Sequence, residues 1–557
     1  MAGGLSFGVG ESRACPPVRG AGSYHRRMIE TIADAVDGMR RATATAALMI
    51  AAAATMTAAT PAAADDFTDQ ANRPYAQIQG GQRSDTALLP VLAKLEPAPK
   101  AVETISQAML LPANAAGWEE AAAWAQGKPQ QEALQTLATI TKERDWKKAK
   151  AFGQPYGIDG VPLEMIQAGL FTDLGDPPTL AAAKIQFLPS LDRLAILVHV
   201  EATRMAAAGK PNDAIDLLMN LMCLGRQMAD RQLFPEVKWG LTQMKACAER
   251  IRDVAYVDSK GASATDASRL REQIKLLDDK SNAYLDVGRI AFPAGDRAAA
   301  SQLVARMYRA DGSVDEQVFA TTMSRLGSTK RPLRLFSESG KWRTVAGGQA
   351  DGAQAKQQVD ALFNDWASRW TTPWFDKRMA NVREYDRFER GQHAAAAAVV
   401  PDMSELQNLR HLVRVELAGT RTALGVFGYG KTIGKFPPQL TAIRPAWVPE
   451  IDVDPFNPTG AEGKRPGYEF FVPVRDAALV GAGGGAYEVE IVAGGTPFQV
   501  RLNDDTFVLY SVGSDNARNN AKRVQNTTDV VQGADYLIWP PAVSLVRQNL
   551  VDRGDLK

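Results

Sequence analysis

The clearest pattern along the chain is helical. Leu191, Leu194, Val198, Ala202 and Met205 recur at three- and four-residue steps, which lines one face of a helix. Gly209, Lys210 and Pro211 stop it, and Asn212 is placed to cap the next helix, with Asp213 favourable near its positive end. That second helix carries Ile215, Leu218, Leu221, Met222 and Met228. A third follows Pro235 with Val237, Leu241, Met244, Ala248 and Ile251. Turns this short oblige neighbouring helices to pack antiparallel. Ala- and Leu-rich runs broken by Gly and Pro extend the helical reading over residues 75–393.

Residues 337–357 are polar and Gly-rich and read as a linker or long loop. Phe363, Trp366, Trp370, Trp374 and Phe375 then crowd together, and Trp366 and Trp370 share a helix face. Past Pro401 the pattern gives a helix to about Gly425 and a Pro-rich turn. Short β-prone segments follow at 469–473, 487–492, 498–501 and 507–510, separated by Gly or Asp turn signals. The predicted fold is mainly α and multidomain. An α-helical body occupies 65–334, a linker and aromatic helical segment 335–400, and an α+β domain with a small antiparallel sheet 401–557.

Residues 42–64 carry no charge, follow Arg40 and Arg41, and precede Asp65 and Asp66. That is the polarity of a secretory signal peptide, with the cut expected after Ala64 and the working protein in the periplasm or cell envelope. A retained transmembrane helix is the alternative, because about 20 uncharged residues can cross a bilayer. Ala and Thr dominate the stretch and contribute little transfer energy, which favours cleavage.

The 64 basic and 63 acidic residues nearly cancel, so no overall charge draws the chain to nucleic acid. Cys223 and Cys247 remain beyond the export segment. They flank a helical turn near Leu233 and Pro235, where a hairpin would bring them together as a disulfide; two buried apolar thiols are the equal alternative.

Two stretches resemble known families. Residues 208–215, Ala-Gly-Lys-Pro-Asn-Asp-Ala-Ile, are similar to the turn of tetratricopeptide repeats, although a plain helical bundle fits the same pattern. In the last domain the order of motifs is Gly434-Lys435-Phe436-Pro437-Pro438-Gln439-Leu440, Trp447-Val448-Pro449, Asp452-Val453-Asp454-Pro455-Phe456, Tyr510-Ser511-Val512-Gly513-Ser514-Asp515 and Ala534-Asp535-Tyr536-Leu537-Ile538-Trp539. This series resembles the globular domain of the major pseudopilins of type II secretion. The resemblance implies a helix leading into a sheet, and a calcium ion held through Asp515 and Asp535 with carbonyl oxygens completing its shell. Two departures bear on it. The loop after Asp515 brings Arg518, Lys522 and Arg523 close to any dication, and the retained amino-terminal helix of a filament subunit is missing from the start of this domain.

Catalytic patterns are scarce. Gly425-Val426-Phe427-Gly428-Tyr429-Gly430-Lys431-Thr432 satisfies the phosphate-loop expression, but a helical run precedes it and Gly434, Pro437 and Pro438 follow, so the strand-loop-helix context fails. His199, His393 and His411 lack metal-ligand spacing, and His199 reads as a satisfied interior histidine. The glycine run 481–485 reads as a hairpin loop, and Asp452 and Asp454 read as turn residues beside Pro455. The expected function is that of an exported, non-enzymatic scaffold or binding protein of the cell envelope, with secretion-apparatus components among its partners and neither nucleic acid nor nucleotide. The alternative is an exported hydrolase of glycans or peptides, with the residues 363–375 aromatics lining its cleft.

Overall fold

Four helices of the body share one device: each has a proline in its first turn, where the missing N–H would have had no helical partner. They are α1 (Lys128–Ile140), α2 (Leu188–Ala207), α3 (Pro211–Ala229) and α4 (Phe234–Ser259). In α1 the buried residues are Gln130, Ala133, Leu134, Leu137 and Ile140, a single stripe at helical spacing. The periodic faces expected for α2, α3 and α4 are likewise buried, except Met205, which is half-buried.

The structure is a computed structural model. It describes residues 62–557 except 278–283, 329–334, 458–466, 482–484, 494–495, 516, 527–532 and 557, and within helices it leaves out the side chains of 62–65, 328 and 335–339. The expected export segment, 1–64, therefore lies outside the described residues apart from the first turn of the helix Ala62–Ala76. Among the described residues no helix is long and apolar enough to cross a membrane.

Asn212 corrects the capping expectation. The helix begins at Pro211, so Asn212 lies inside it, buried. Its Oδ1 accepts the Asp266 N–H at 2.7 Å and its Nδ2 donates to Gln273 Oε1 at 3.0 Å, tying the start of α3 to the helix Ala267–Leu276. The expected linker is also helical. Helix Leu335–Ala346 is followed, after a short turn, by α7 (Gly352–Trp370), which comes after α5 (Gly295–Met307) and α6 (Glu316–Ser328) in chain order. Asp351 caps α7 by accepting the Gln354 N–H at 2.8 Å.

Helix α8 (Ser404–Ile433) runs past the expected end at Gly425. Gly434 terminates it with φ +78°, a left-handed conformation glycine adopts at no steric cost, and its N–H closes on Gly430 O at 2.8 Å. The strands that follow are β1 (Glu469–Phe471), β2 (Tyr487–Val492), β3 (Phe498–Leu502), β4 (Val508–Ser511), β5 (Arg523–Gln525) and β6 (Asp535–Trp539), before α9 (Ala542–Asp552). They form one six-stranded sheet in the order β1-β4-β6-β5-β2-β3. The small antiparallel sheet of expectation is thus mixed: β6-β5 and β5-β2 run parallel, the other neighbours antiparallel. The two parallel pairs place short β5 between strands distant in sequence, which local β-propensity does not reveal.

Central strand β6 is buried on both faces. Tyr536 and Ile538 belong to the main core with α8, whereas Leu537 joins a second cluster with Val489, Ile491, Val508 and Tyr510, covered by Ala542 and Leu545 of α9. That alternation is the period of two that a strand imposes. Residues Ala62–Lys557 form one compact unit, and its main core includes Leu191 and Val237 of the body together with Leu412, Phe507 and Trp539 from beyond residue 401.

A buried polar network crosses the same place. Glu416 of α8 pairs with Arg252 of α4 at 2.5 Å and accepts the Tyr536 hydroxyl of β6 at 2.5 Å. Arg252 also donates to Thr420 Oγ1. Helix, helix and sheet are thereby joined through one carboxylate.

Candidate functional site

The sequence-predicted positions fall into several separate places. Phe363, Trp366 and Trp370 are buried, with only 2% of each indole exposed, and Trp370 Nε1 donates to Ile290 O at 2.8 Å. Trp374 stands edge-on to His411 and Phe456. Only Phe375 is open to solvent. The cluster is therefore a packing seam, which removes it as a sugar-stacking platform, since rings whose faces are covered have none to offer a ligand.

Residues 425–432 lie entirely inside α8. Their amides are spent on helical bonds, and Lys431 Nζ donates to Ser263 O at 3.0 Å and Ser263 Oγ at 2.8 Å. No phosphate-cradling loop is formed there. Cys223 and Cys247 sit on the facing helices α3 and α4 as free, buried thiols, both pushed up by burial, with the Arg144 guanidinium against Cys223. His199 is interior as expected but not satisfied: among the described residues neither ring nitrogen has a hydrogen-bond partner, and burial with the nearby Arg250 charge lowers it to about 3. His411 is lowered to about 3 by burial, and His393 stacks on Phe388. Asp452 pairs with Arg421 through its Nε at 2.6 Å, and Asp454 accepts the Phe456 N–H at 2.9 Å, closing the turn.

Asp515 follows β4 and Asp535 opens β6, and both carboxylates serve backbone amides of the segment between them. Asp535 is buried; its Oδ2 accepts the Ala521 N–H at 2.7 Å and the Asn519 N–H at 3.2 Å. Asp515 accepts from Ala517 at 3.1 Å and from Gly533 at 2.8 Å. Asn520 and Ala521 take left-handed φ values of 55° and 56°, each costing roughly 1–2 kcal/mol, so that the loop amides can turn onto the carboxylate. Arg518 pairs with Glu469 beside them. Among the described residues no three His, Cys, Asp or Glu side chains converge as a metal-ligand set.

This carboxylate sets a pH dependence. Burial, reinforced by the Asp515 charge, raises Asp535 to about 7. Because the folded value lies above the unfolded one of about 3.9, its contribution to stability is full below that pH and is lost as pH rises through about 7. In urea titrations from acid to neutral pH, the stability difference between the parent and Asp535→Asn is expected to shrink through this window and then level off. Parallel curves for the two proteins would contradict the assignment.

The feature with the form of a binding site lies on the body. Helix α1 presents Lys128, Gln131, Glu132, Gln135 and Ala138 along one stripe, and α3 presents Asp213, Asp216, Leu217 and Asn220 along another; Glu201 and Met205 of α2 lie between them. Spacings of three and four residues put each set on a single face. The resulting groove has a volume of about 720 Å³ and is open along its length. Leu134, Met205, Ala138 and Leu217 give it an apolar floor, and four carboxylates line it together with Lys128.

The carboxylates are held in place from outside the groove. Arg204 grips both oxygens of Glu201 at 2.7 and 2.8 Å, and Gln126 adds a bond at 3.0 Å. Arg269 forks across Asp213 at 2.7 Å and Asp216 at 2.6 Å, while Gln273 donates to Asp216 at 2.7 Å. Lys94 stands 3.6 Å from Glu132. Side chains fixed in this way lose less entropy when a ligand arrives. Sequence reasoning missed the groove because α1 and α3 are far apart in the chain and their acidic residues look like ordinary solvated faces.

No protein-family model, curated protein or solved structure matches the chain.

Proposed function

We propose that this chain is an exported, non-enzymatic scaffold of the cell envelope whose helical body holds a cationic, amphipathic segment of a partner protein. The observation that carries the reading is the groove of α1, α2 and α3, with its apolar floor and four carboxylates, three of them fixed by hydrogen bonds. Apolar side chains of the segment would bury against Leu134 and Leu217, and Lys or Arg would meet Glu132, Asp213 and Asp216. Laying an amphipathic helix into a groove is a recurrent mode of recognition. The polarity of residues 42–64 supports the location.

The helix-then-sheet order after residue 404 is in keeping with the pseudopilin resemblance, and on that resemblance the partner is read as a component of a type II secretion or pilus-like apparatus.

The test is a pull-down from envelope fractions with the parent and with Glu132→Lys/Asp216→Lys. Partners bearing a basic segment should be recovered by the parent and depleted about tenfold or more by the double variant, since like charges across an interface cost several kcal/mol. Equal recovery by both proteins would sink the reading.

A further inference from the structure

A second cleft lies away from the groove, where residues 173–184 leave and rejoin a two-stranded ladder pairing Thr172 with Ile185 and Asp173 with Lys184. Two contacts fasten this loop to α5. Gln302 Oε1 accepts the Leu180 N–H at 2.8 Å, and Arg306 donates to Thr179 Oγ1 at 2.5 Å and Pro178 O at 3.1 Å. Helix α6 forms the opposite wall, turning Gln317, Thr321 and Arg325 inward at four-residue steps. The space between has a volume of about 590 Å³, within the range of small-ligand pockets.

Among the described residues its lining carries more basic than acidic side chains. Arg306, Arg325 and Lys184 face two carboxylates, Asp173 and Asp176. One of the two is partly spent, because Asp173 Oδ1 accepts the Gly175 N–H at 2.9 Å. Arg325 donates to the Asp176 carbonyl at 3.3 Å. The partners of half-buried Arg306 are both neutral oxygens, and among the described residues no carboxylate lies within ion-pairing distance of it. Burial and the adjacent Arg325 charge lower its pKa. A guanidinium so placed has its geometry fixed but its charge unanswered, and desolvated charges are ordinarily paired.

We propose that this cleft binds the phosphate group of a small ligand, with Arg306 and Arg325 supplying charge, Lys184 closing the rim, and Thr321, Thr322 and Gln317 donating to the remaining oxygens. A tetrahedral oxyanion matches this set better than a carboxylate does: it offers three outward oxygens and up to two charges to donors arranged on three sides. Leu174, Pro177 and Leu326 provide an apolar flank for the ligand's body. A soluble phosphate monoester and the monoester headgroup of phosphatidic acid present the same chemistry here.

The experiment uses the full chain at low ionic strength. One arm is calorimetric titration with inorganic phosphate and with glycerol 3-phosphate; the other is co-sedimentation with vesicles containing phosphatidic acid. Saturable binding in one arm supports the proposal and names the source. It should weaken about tenfold in Arg325→Gln and in Arg306→Gln, because a hydrogen bond to a charged group is lost, and stay unchanged in Arg553→Gln, an exposed arginine at the far end of the chain. Arg325 is exposed, so its substitution leaves folding intact and decides the matter if Arg306→Gln unfolds. Binding in neither arm, or binding unaffected by Arg325→Gln, overturns the proposal.

Discussion

Replacing Glu416 by alanine is expected to destabilise the protein by about 3–5 kcal/mol, the usual cost of stripping one partner from a buried ion pair. The substitution leaves Arg252, only 1% exposed, as a guanidinium without its carboxylate, and leaves the Tyr536 hydroxyl without its acceptor. The Thr420 hydroxyl and Glu249 are too little compensation, since Glu249 is already engaged by Asn526 and by the Val543 N–H. Removing both charges is a different matter. In Arg252→Met/Glu416→Leu the desolvation penalty disappears with the attraction, and most of the stability should return. Urea unfolding followed by tryptophan fluorescence measures both. A single variant within about 1 kcal/mol of the parent would show that the network does not join α4, α8 and the sheet.

Gly240→Ala should cost about 2–3 kcal/mol even though alanine is the better helix former by roughly 1 kcal/mol. A Cβ at residue 240 would stand 2.4 Å from the Gly225 carbonyl oxygen and 2.5 Å from the Ala229 amide nitrogen. Both are backbone atoms of α3, so no side chain can swing aside. The helices would have to separate, loosening Met222, Met244 and their neighbours along the seam. Gly261→Ala is the control, because nothing lies within 4 Å of its would-be Cβ. Thermal unfolding of the two variants should differ clearly; equal midpoints would mean that α3 and α4 do not approach as closely as described.

How far the sequence disclosed these features depends on how local each one is. Leu191, Leu194, Val198 and Ala202 repeat within a single helix, so α2 was legible from spacing alone, as were α3 and α4. Residues 337–357 misled because Gly and polar side chains dominate the composition, while Ala355, Val359 and Leu362 supply just enough apolar stripe for α7 to pack. Asn212 has the right chemistry for a cap, yet Pro211 starts the helix a residue earlier and the amide finds tertiary partners instead. Strand β5 is three residues long and takes its place between β6 and β2, a pairing that no local pattern encodes.

The sites obey the same rule. Asp515 and Asp535 were singled out through a resemblance, and they do bracket one segment, with their oxygens turned to its amides. The groove was hidden because its carboxylates come from three helices, and acidic residues on a helix face carry no mark of what they oppose. Arg306 and Arg325 were equally unmarked: only the fold shows that one is half buried beside the other with neutral partners.

The central claim is that the groove accepts a cationic amphipathic segment, and fluorescence anisotropy with a labelled Lys- and Leu-rich helical peptide tests it most directly. The parent should bind it saturably, lose affinity as salt is raised, and ignore a Glu-rich peptide of the same apolar pattern, because exposed charges attract only within a Debye length of about 10 Å at moderate salt. Glu132→Lys/Asp216→Lys should abolish the interaction at a temperature where circular dichroism shows the variant still folded. Binding of equal strength by parent and variant, or of both peptides alike, would contradict the account.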